Sequence, residues 1–93
     1  MDFEWDERKA ALNEQRHGVD FRRASLVFDG RDVVFKESPR KGEMRWIATA
    51  RLGDDLWSVV YTRREGSIRI ISARRARKNE KERYYRSLLG RGD

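Results

Sequence analysis

Three stretches of alternating side chains, each closed by a short turn, fix most of what this chain can fold into. Residues 43–51, 56–64 and 67–73 each read as a strand, because apolar and polar side chains trade places at every step. Gly53-Asp54-Asp55 and Glu65-Gly66 separate them. Turns that short make hairpins, so the three strands are expected side by side and antiparallel. Met44, Trp46, Ala48 and Ala50 make the apolar side of the first; Trp57, Val59 and Tyr61 that of the second; Ile68 and Ile70 that of the third. The opposite side collects Arg45, Arg51, Arg64 and Arg69, with Thr49, Ser58 and Thr62 among them, Ile47, Leu56 and Val60 on the same side, and Ile71 and Ala73 beside Arg69.

The rest of the chain supplies the covering layer. Phe3-Glu4-Trp5 alternates as a short first strand. Asp6 is placed as an N-cap, Lys9, Leu12, Asn13 and Arg16 follow at helical spacing, and Gly18 suits the end of that helix. Asp20 caps a second, short helix through Phe21, Ala24, Val27 and Phe28. Val33 to Glu37 reads as a strand, broken by Ser38-Pro39-Arg40-Lys41-Gly42. From Arg74 to about Leu89 the pattern is helical, and Gly90 stops it. The order β-α-α-β-β-β-β-α predicts an α+β fold, a small antiparallel sheet with the helices packed on one face. Residues 1–93 suffice for one domain and leave no room for a second.

Composition narrows the partner. The net charge is +6. Residues 1–20 carry three Lys/Arg against six Asp/Glu, whereas residues 74–93 carry eight against three. A basic middle and tail point to an anionic partner. There is no cysteine, which excludes disulfides and thiolate metal sites and suits a reducing cytoplasm. The longest apolar runs are far short of the ~20 residues that span a bilayer, and no charged-then-apolar leader opens the chain. A soluble protein without membrane contact is expected.

Guanidinium groups are suited to bidentate phosphate contacts, while clustered surface arginines add little stability. Three adjacent strands aiming arginines to one side therefore suggest an RNA-binding face. The plainer reading pairs them with Glu37, Glu43 and Asp55 on an inert surface. Lys9, Asn13 and His17 line one stripe of the first helix at four-residue steps. His17 is the only histidine, so no two-histidine metal site exists. It is placed either as a group satisfying the helix end or as a proton donor or acceptor. Glu80, Tyr84 and Leu88 form a stripe on the last helix, with Tyr84 able to pack its ring and offer its hydroxyl. Arg74 at the start of that helix, where the dipole does not favour a cation, hints at an anion nearby. No phosphate loop, Ser/His/Asp set or acidic metal cluster is visible. The chemistry left open is metal-free RNA cleavage, in which the ribose 2′-hydroxyl attacks its own phosphate.

The chain also resembles a known family. Phe3-Glu4-Trp5-Asp6, Lys9, Asn13, His17-Gly18-Val19, Phe21, Ala24 and Phe28 look like the opening of BrnT-type toxins. Glu43-x-Arg45, Val60-Tyr61-Thr62-x-Arg64 and Ile68-Arg69-Ile70-Ile71-Ser72-Ala73-Arg74-x-Ala76 resemble its later motifs, and Glu80 and Tyr84 fit its closing helix. The resemblance runs from residue 3 to about 85. It implies a bacterial type II toxin, similar in fold to RelE-type ribonucleases, that inhibits translation by cleaving RNA without metal or other cofactor. It also implies a BrnA-type ribbon-helix-helix antitoxin, which masks the toxin in a hetero-oligomer and, with it, binds promoter DNA. Two positions depart from the family. Glu37 and Arg40 occupy a stretch where an acidic residue and a histidine are common, and Ala50 stands where glycine is common. Proton transfer would then fall to His17 or Tyr84.

On this reading Arg45, Arg64 and Arg74 hold or neutralise the scissile phosphate, and Arg69, Arg51 and Lys9 contact the RNA beside it. Glu43 is the expected general base and His17 the general acid, with Tyr84 assisting or stacking on a base. Two alternatives use the same surface. One is a non-catalytic nucleic-acid-binding module, and the other an interaction protein for an acidic partner.

Overall fold

In a computed structural model of the chain, which describes residues 1–90, five strands form one sheet in the order β1-β5-β4-β3-β2. The strands are β1 (Asp2–Glu4), β2 (Val33–Glu37), β3 (Trp46–Leu52), β4 (Asp55–Arg64) and β5 (Ser67–Arg75). The helices are α1 (Glu7–His17), α2 (Phe21–Ala24), continued by a 3-10 turn over Ser25–Phe28, and α3 (Lys78–Gly90). The α+β class and the order of elements are as the sequence indicates. Asp6 caps α1, its carboxylate accepting from the Arg8 and Lys9 amides at 2.8 and 3.2 Å. Gly18 ends α1 in the left-handed conformation, at φ 80°.

Four particulars differ from expectation. First, the sheet is mixed. β2 to β5 are antiparallel, but β1 pairs parallel to β5 through Asp2–Ser67, Phe3–Ile68 and Glu4–Arg69. The two helices carry the chain from β1 at one edge to β2 at the other, and three antiparallel turns then return β5 beside β1 in the parallel sense. Second, β3 starts at Trp46 rather than 43. Arg40 and Glu43 instead exchange backbone hydrogen bonds of 2.8 Å across Lys41 and Gly42, both at positive φ, which is the two-residue turn of a hairpin.

Third, β5 runs on to Arg75, so Arg74 lies in a strand and does not open α3. Ser58–Arg74 and Trp57–Arg75 pairing holds it there. Val60 pairs with Ser72 and Tyr61 with Ile70, leaving Ile71 as an extra residue in β5. This bulge reverses the alternation beyond it. Ala73 joins the buried core, and Arg74 turns to the arginine face.

Fourth, the helices divide between the two faces. Phe21, Ala24 and Val27 pack with Ala48, Ala50, Val59, Tyr61, Ile70 and Ala73 in the main core. α3 lies on the other side, where Tyr84 meets Leu56 and Ala76, with Val34 and Leu88 against them. The sheet alternation had left Leu56 and Val60 on the polar side, and α3 uses the first of them as its seat. The arginine face is therefore covered at one end and open at the other.

Candidate active site

Strand register builds the open end. Tyr61 pairs with Trp46, which sets Arg45 beside Thr62. Thr62 pairs with Arg69, and Arg69 with Glu4. The Thr62 hydroxyl donates to the Met44 carbonyl at 2.8 Å and ties the approach to β3 against β4. Thr62, Arg69 and Glu4 thus form a row across three paired strands, and Arg45, the residue before β3, extends it at the Thr62 end. At about 4.8 Å per strand, Arg45 and Arg69 spring from points roughly 10 Å apart, within reach of neighbouring phosphates. Arg64 follows two residues after Thr62 on the same face.

Two carboxylates sit among these arginines. Glu43 accepts from Arg45 Nε at 3.0 Å. Glu4 places Oε1 3.6 Å from Arg69 and 4.0 Å from Arg64. All five side chains remain substantially open to solvent, Arg64 most of all at 55% exposure. The pairs leave the guanidinium groups within reach of an incoming anion. Glu4 was not singled out from the sequence. Only the parallel pairing of a three-residue strand brings it here.

The covered end is a sealed network. Arg74 donates from both terminal nitrogens to Glu80, at 2.7 and 2.9 Å. Glu80 also accepts from the Ser58 hydroxyl at 2.9 Å and the Arg77 amide at 2.8 Å, and Ser58 joins Thr49 at 2.8 Å. The Glu80 side chain is only 4% exposed. Burial pushes its carboxyl up, but hydrogen bonds from Arg74, the Arg77 amide and Ser58, with the Arg74 charge, bring it down to about 2. Glu80 is thus both the cap of α3 and the clamp on Arg74. Nearby, Arg51 donates to the Tyr85 hydroxyl at 2.9 Å, and Tyr84 is buried with its ring edge-on to Tyr85.

The expected site residues therefore fall in separate places. Arg64 lies six residues along β4 from Ser58, the partner of Arg74, a distance of about 20 Å at strand rise. Glu43, Arg45, Arg64 and Arg69 gather at the open end with Glu4. Arg74, Arg51 and Tyr84 lie toward the end that α3 covers.

His17 and Lys9 form a third group. They line a cleft of about 350 Å³ with Leu12, Asn13, Arg16, Ile71 and Ser72. This cleft runs along β5 just beyond the last residue paired with β1. His17 is exposed in the last turn of α1, where the helix dipole favours a positive charge. Among the described residues, no three His, Cys, Asp or Glu side chains gather as metal ligands. No helix among them is long and apolar enough to cross a membrane.

Fold and site together define a small α+β domain with a basic, carboxylate-studded sheet face, a class suited to a polyanionic substrate. Residues 5–80 match the sequence model of BrnT, the ribonuclease toxin of a type II toxin–antitoxin system, and the chain belongs to that family. Membership implies an RNA substrate and an antitoxin partner. No curated protein sequence matches the chain.

Proposed function

We propose that the chain is an endoribonuclease toxin that cuts RNA without a metal ion and so inhibits translation in the cytoplasm. The observation that carries this reading is the row of Arg45, Thr62, Arg69 and Glu4, with Arg64 and Glu43 beside it. Cleavage by the ribose 2′-hydroxyl needs a base for that proton, positive charge on the phosphorane and an acid for the leaving oxygen. Arg45, Arg64 and Arg69 supply the charge at the open end. His17, the acid expected from the sequence, lies apart in the cleft along β5, so solvent water supplies that proton at the open end. Arg51 and Lys9 extend the basic track to flanking phosphates. Arg74 and Tyr84 serve chiefly to hold α3 on the sheet, Arg74 through Glu80 and Tyr84 through Leu56 and Ala76.

The antitoxin is a ribbon-helix-helix protein of the BrnA type. It masks the toxin in a hetero-oligomer, and the complex binds its own promoter DNA. Expression of the chain alone should arrest bacterial growth, and co-expression of a ribbon-helix-helix protein encoded beside it should relieve the arrest. Arg64→Ala should abolish the arrest while circular dichroism stays native. Growth arrest by a folded Arg45/Arg64/Arg69 triple alanine variant would place the activity elsewhere.

A further inference from the structure

Three carboxylates stand among the arginines of this face, and their surroundings separate them. Glu80 accepts four hydrogen bonds and is nearly inaccessible, so it has no path to substrate. Glu43 is bound to Arg45 Nε at 3.0 Å, ordinary hydrogen-bond length, and belongs to the turn before β3. Glu4 differs from both. Its Oε1 lies 3.6 Å from Arg69 and 4.0 Å from Arg64, well beyond the ~2.8 Å of a charge-assisted hydrogen bond. It is thus near two cations and locked onto neither. Phe3, the residue before it, packs on Phe28 at 5.7 Å between ring centroids, which holds β1 to the core.

From this geometry we infer that Glu4 is the catalytic base of the reaction proposed above, and the inference rests on that reading. A phosphate entering between Arg64 and Arg69 takes the guanidinium contacts and leaves Glu4 beside the ribose that carries it. Glu4 removes the proton of the 2′-hydroxyl. The 2′-oxygen then bonds to phosphorus as the bond to the 5′-oxygen breaks. That oxygen takes a proton from solvent water at this open end and leaves as a 5′-hydroxyl, and the other product is a 2′,3′-cyclic phosphate. The arginines bear the charge of the phosphorane between the two steps. Glu43 keeps Arg45 in place for the neighbouring phosphate and is a positioning residue.

The test uses the purified chain, a single-stranded RNA oligonucleotide of mixed sequence, and EDTA. An all-2′-deoxy oligonucleotide, which lacks the nucleophile, reports binding alone. Glu4→Gln should lower the cleavage rate by roughly a hundred- to ten-thousand-fold, the range for loss of a general base. It should bind the deoxy oligonucleotide at least as tightly as wild type. Its residual rate should lose the acid limb of the pH profile. Glu4→Asp keeps the charge facing both arginines, and should retain that limb at a lower rate even if Glu4→Gln folds poorly. Glu43→Gln should slow cleavage but keep the limb. A Glu4→Gln rate within a hundredfold of wild type, a persistent acid limb, or a fall in binding matching the fall in rate would overturn the assignment. Wild-type protein that leaves no cyclic phosphate ends would overturn the ribonuclease reading itself, a result visible before any variant is made.

Discussion

Asn13 of α1 and Ala73 of β5, sixty residues apart, are joined by two hydrogen bonds. The Asn13 amide donates to the Ala73 carbonyl at 2.8 Å, and the Ala73 amide donates to Asn13 Oδ1 at 3.1 Å. The same side chain donates to the Val19 carbonyl at 2.9 Å. β1 is only three residues long and leaves the outer edge of β5, the edge away from β4, without a strand partner beyond Arg69. Asn13 completes the ladder there, and fixes α1, with His17 four residues on, along that edge.

Asn13→Ala leaves three buried backbone groups without partners. At 1–3 kcal/mol for each such group, the variant should lose about 3 kcal/mol, or roughly 15 °C in Tm for a domain of this size. Urea and thermal unfolding would measure it. A loss below about 1 kcal/mol would mean that water replaces the side chain at little cost.

Glu80 should give stability a distinct acid dependence. Its carboxyl is depressed in the folded protein, to about 2 from an ordinary 4.5. The stabilisation is therefore fully present above about pH 4.5, and is lost as pH falls toward 2. A shift of that size is worth about 3 kcal/mol. Glu80→Gln should flatten stability against pH between about 4.5 and 2, as read from urea midpoints across that range. An unchanged slope would show that the clamp on Arg74 does not set acid sensitivity.

Tyr84 should matter through its ring. Tyr84→Ala removes a buried aromatic from the seat of α3 and should cost about 3–5 kcal/mol. Tyr84→Phe should keep RNA cleavage within tenfold. A hundredfold loss in a stable Tyr84→Phe variant would return the hydroxyl to the reaction.

Much of this fold is legible in the sequence, and the reasons for the rest are physical. The hairpin turns, the Asp6 cap and the Gly18 stop act through neighbouring residues, so local pattern reveals them. The faces of Arg45, Arg51, Arg64 and Arg69 follow from alternation. Ile71 does not, because a bulge depends on how β5 meets β4, and it moves Ala73 and Arg74 to opposite sides from those that strict alternation gives. Glu4 is hidden for the same kind of reason: its arginine neighbours come from parallel pairing across more than sixty residues. The seat of α3 was partly visible, since Leu56 stood unexplained on a polar face.

The open end should also leave a signature in binding. Each of Arg45, Arg64 and Arg69 changed singly to alanine should lower the slope of log affinity against log salt by about 0.7 for a single-stranded oligonucleotide. Arg74→Ala should change that slope little and stability much, since its guanidinium is 17% exposed and held by Glu80. The reverse result would move the phosphate track under α3.

The central claim is that the open end of the arginine face cuts RNA. Its most direct measurement is mass spectrometry of RNA ends after incubation with purified wild-type protein and with the Arg45/Arg64/Arg69 triple alanine variant, both in EDTA. Wild type should yield 2′,3′-cyclic phosphate and 5′-hydroxyl ends, and the folded triple variant should leave the RNA intact. RNA left uncut by wild type, though bound with a steep salt dependence, would contradict the account and make the face a binding surface only.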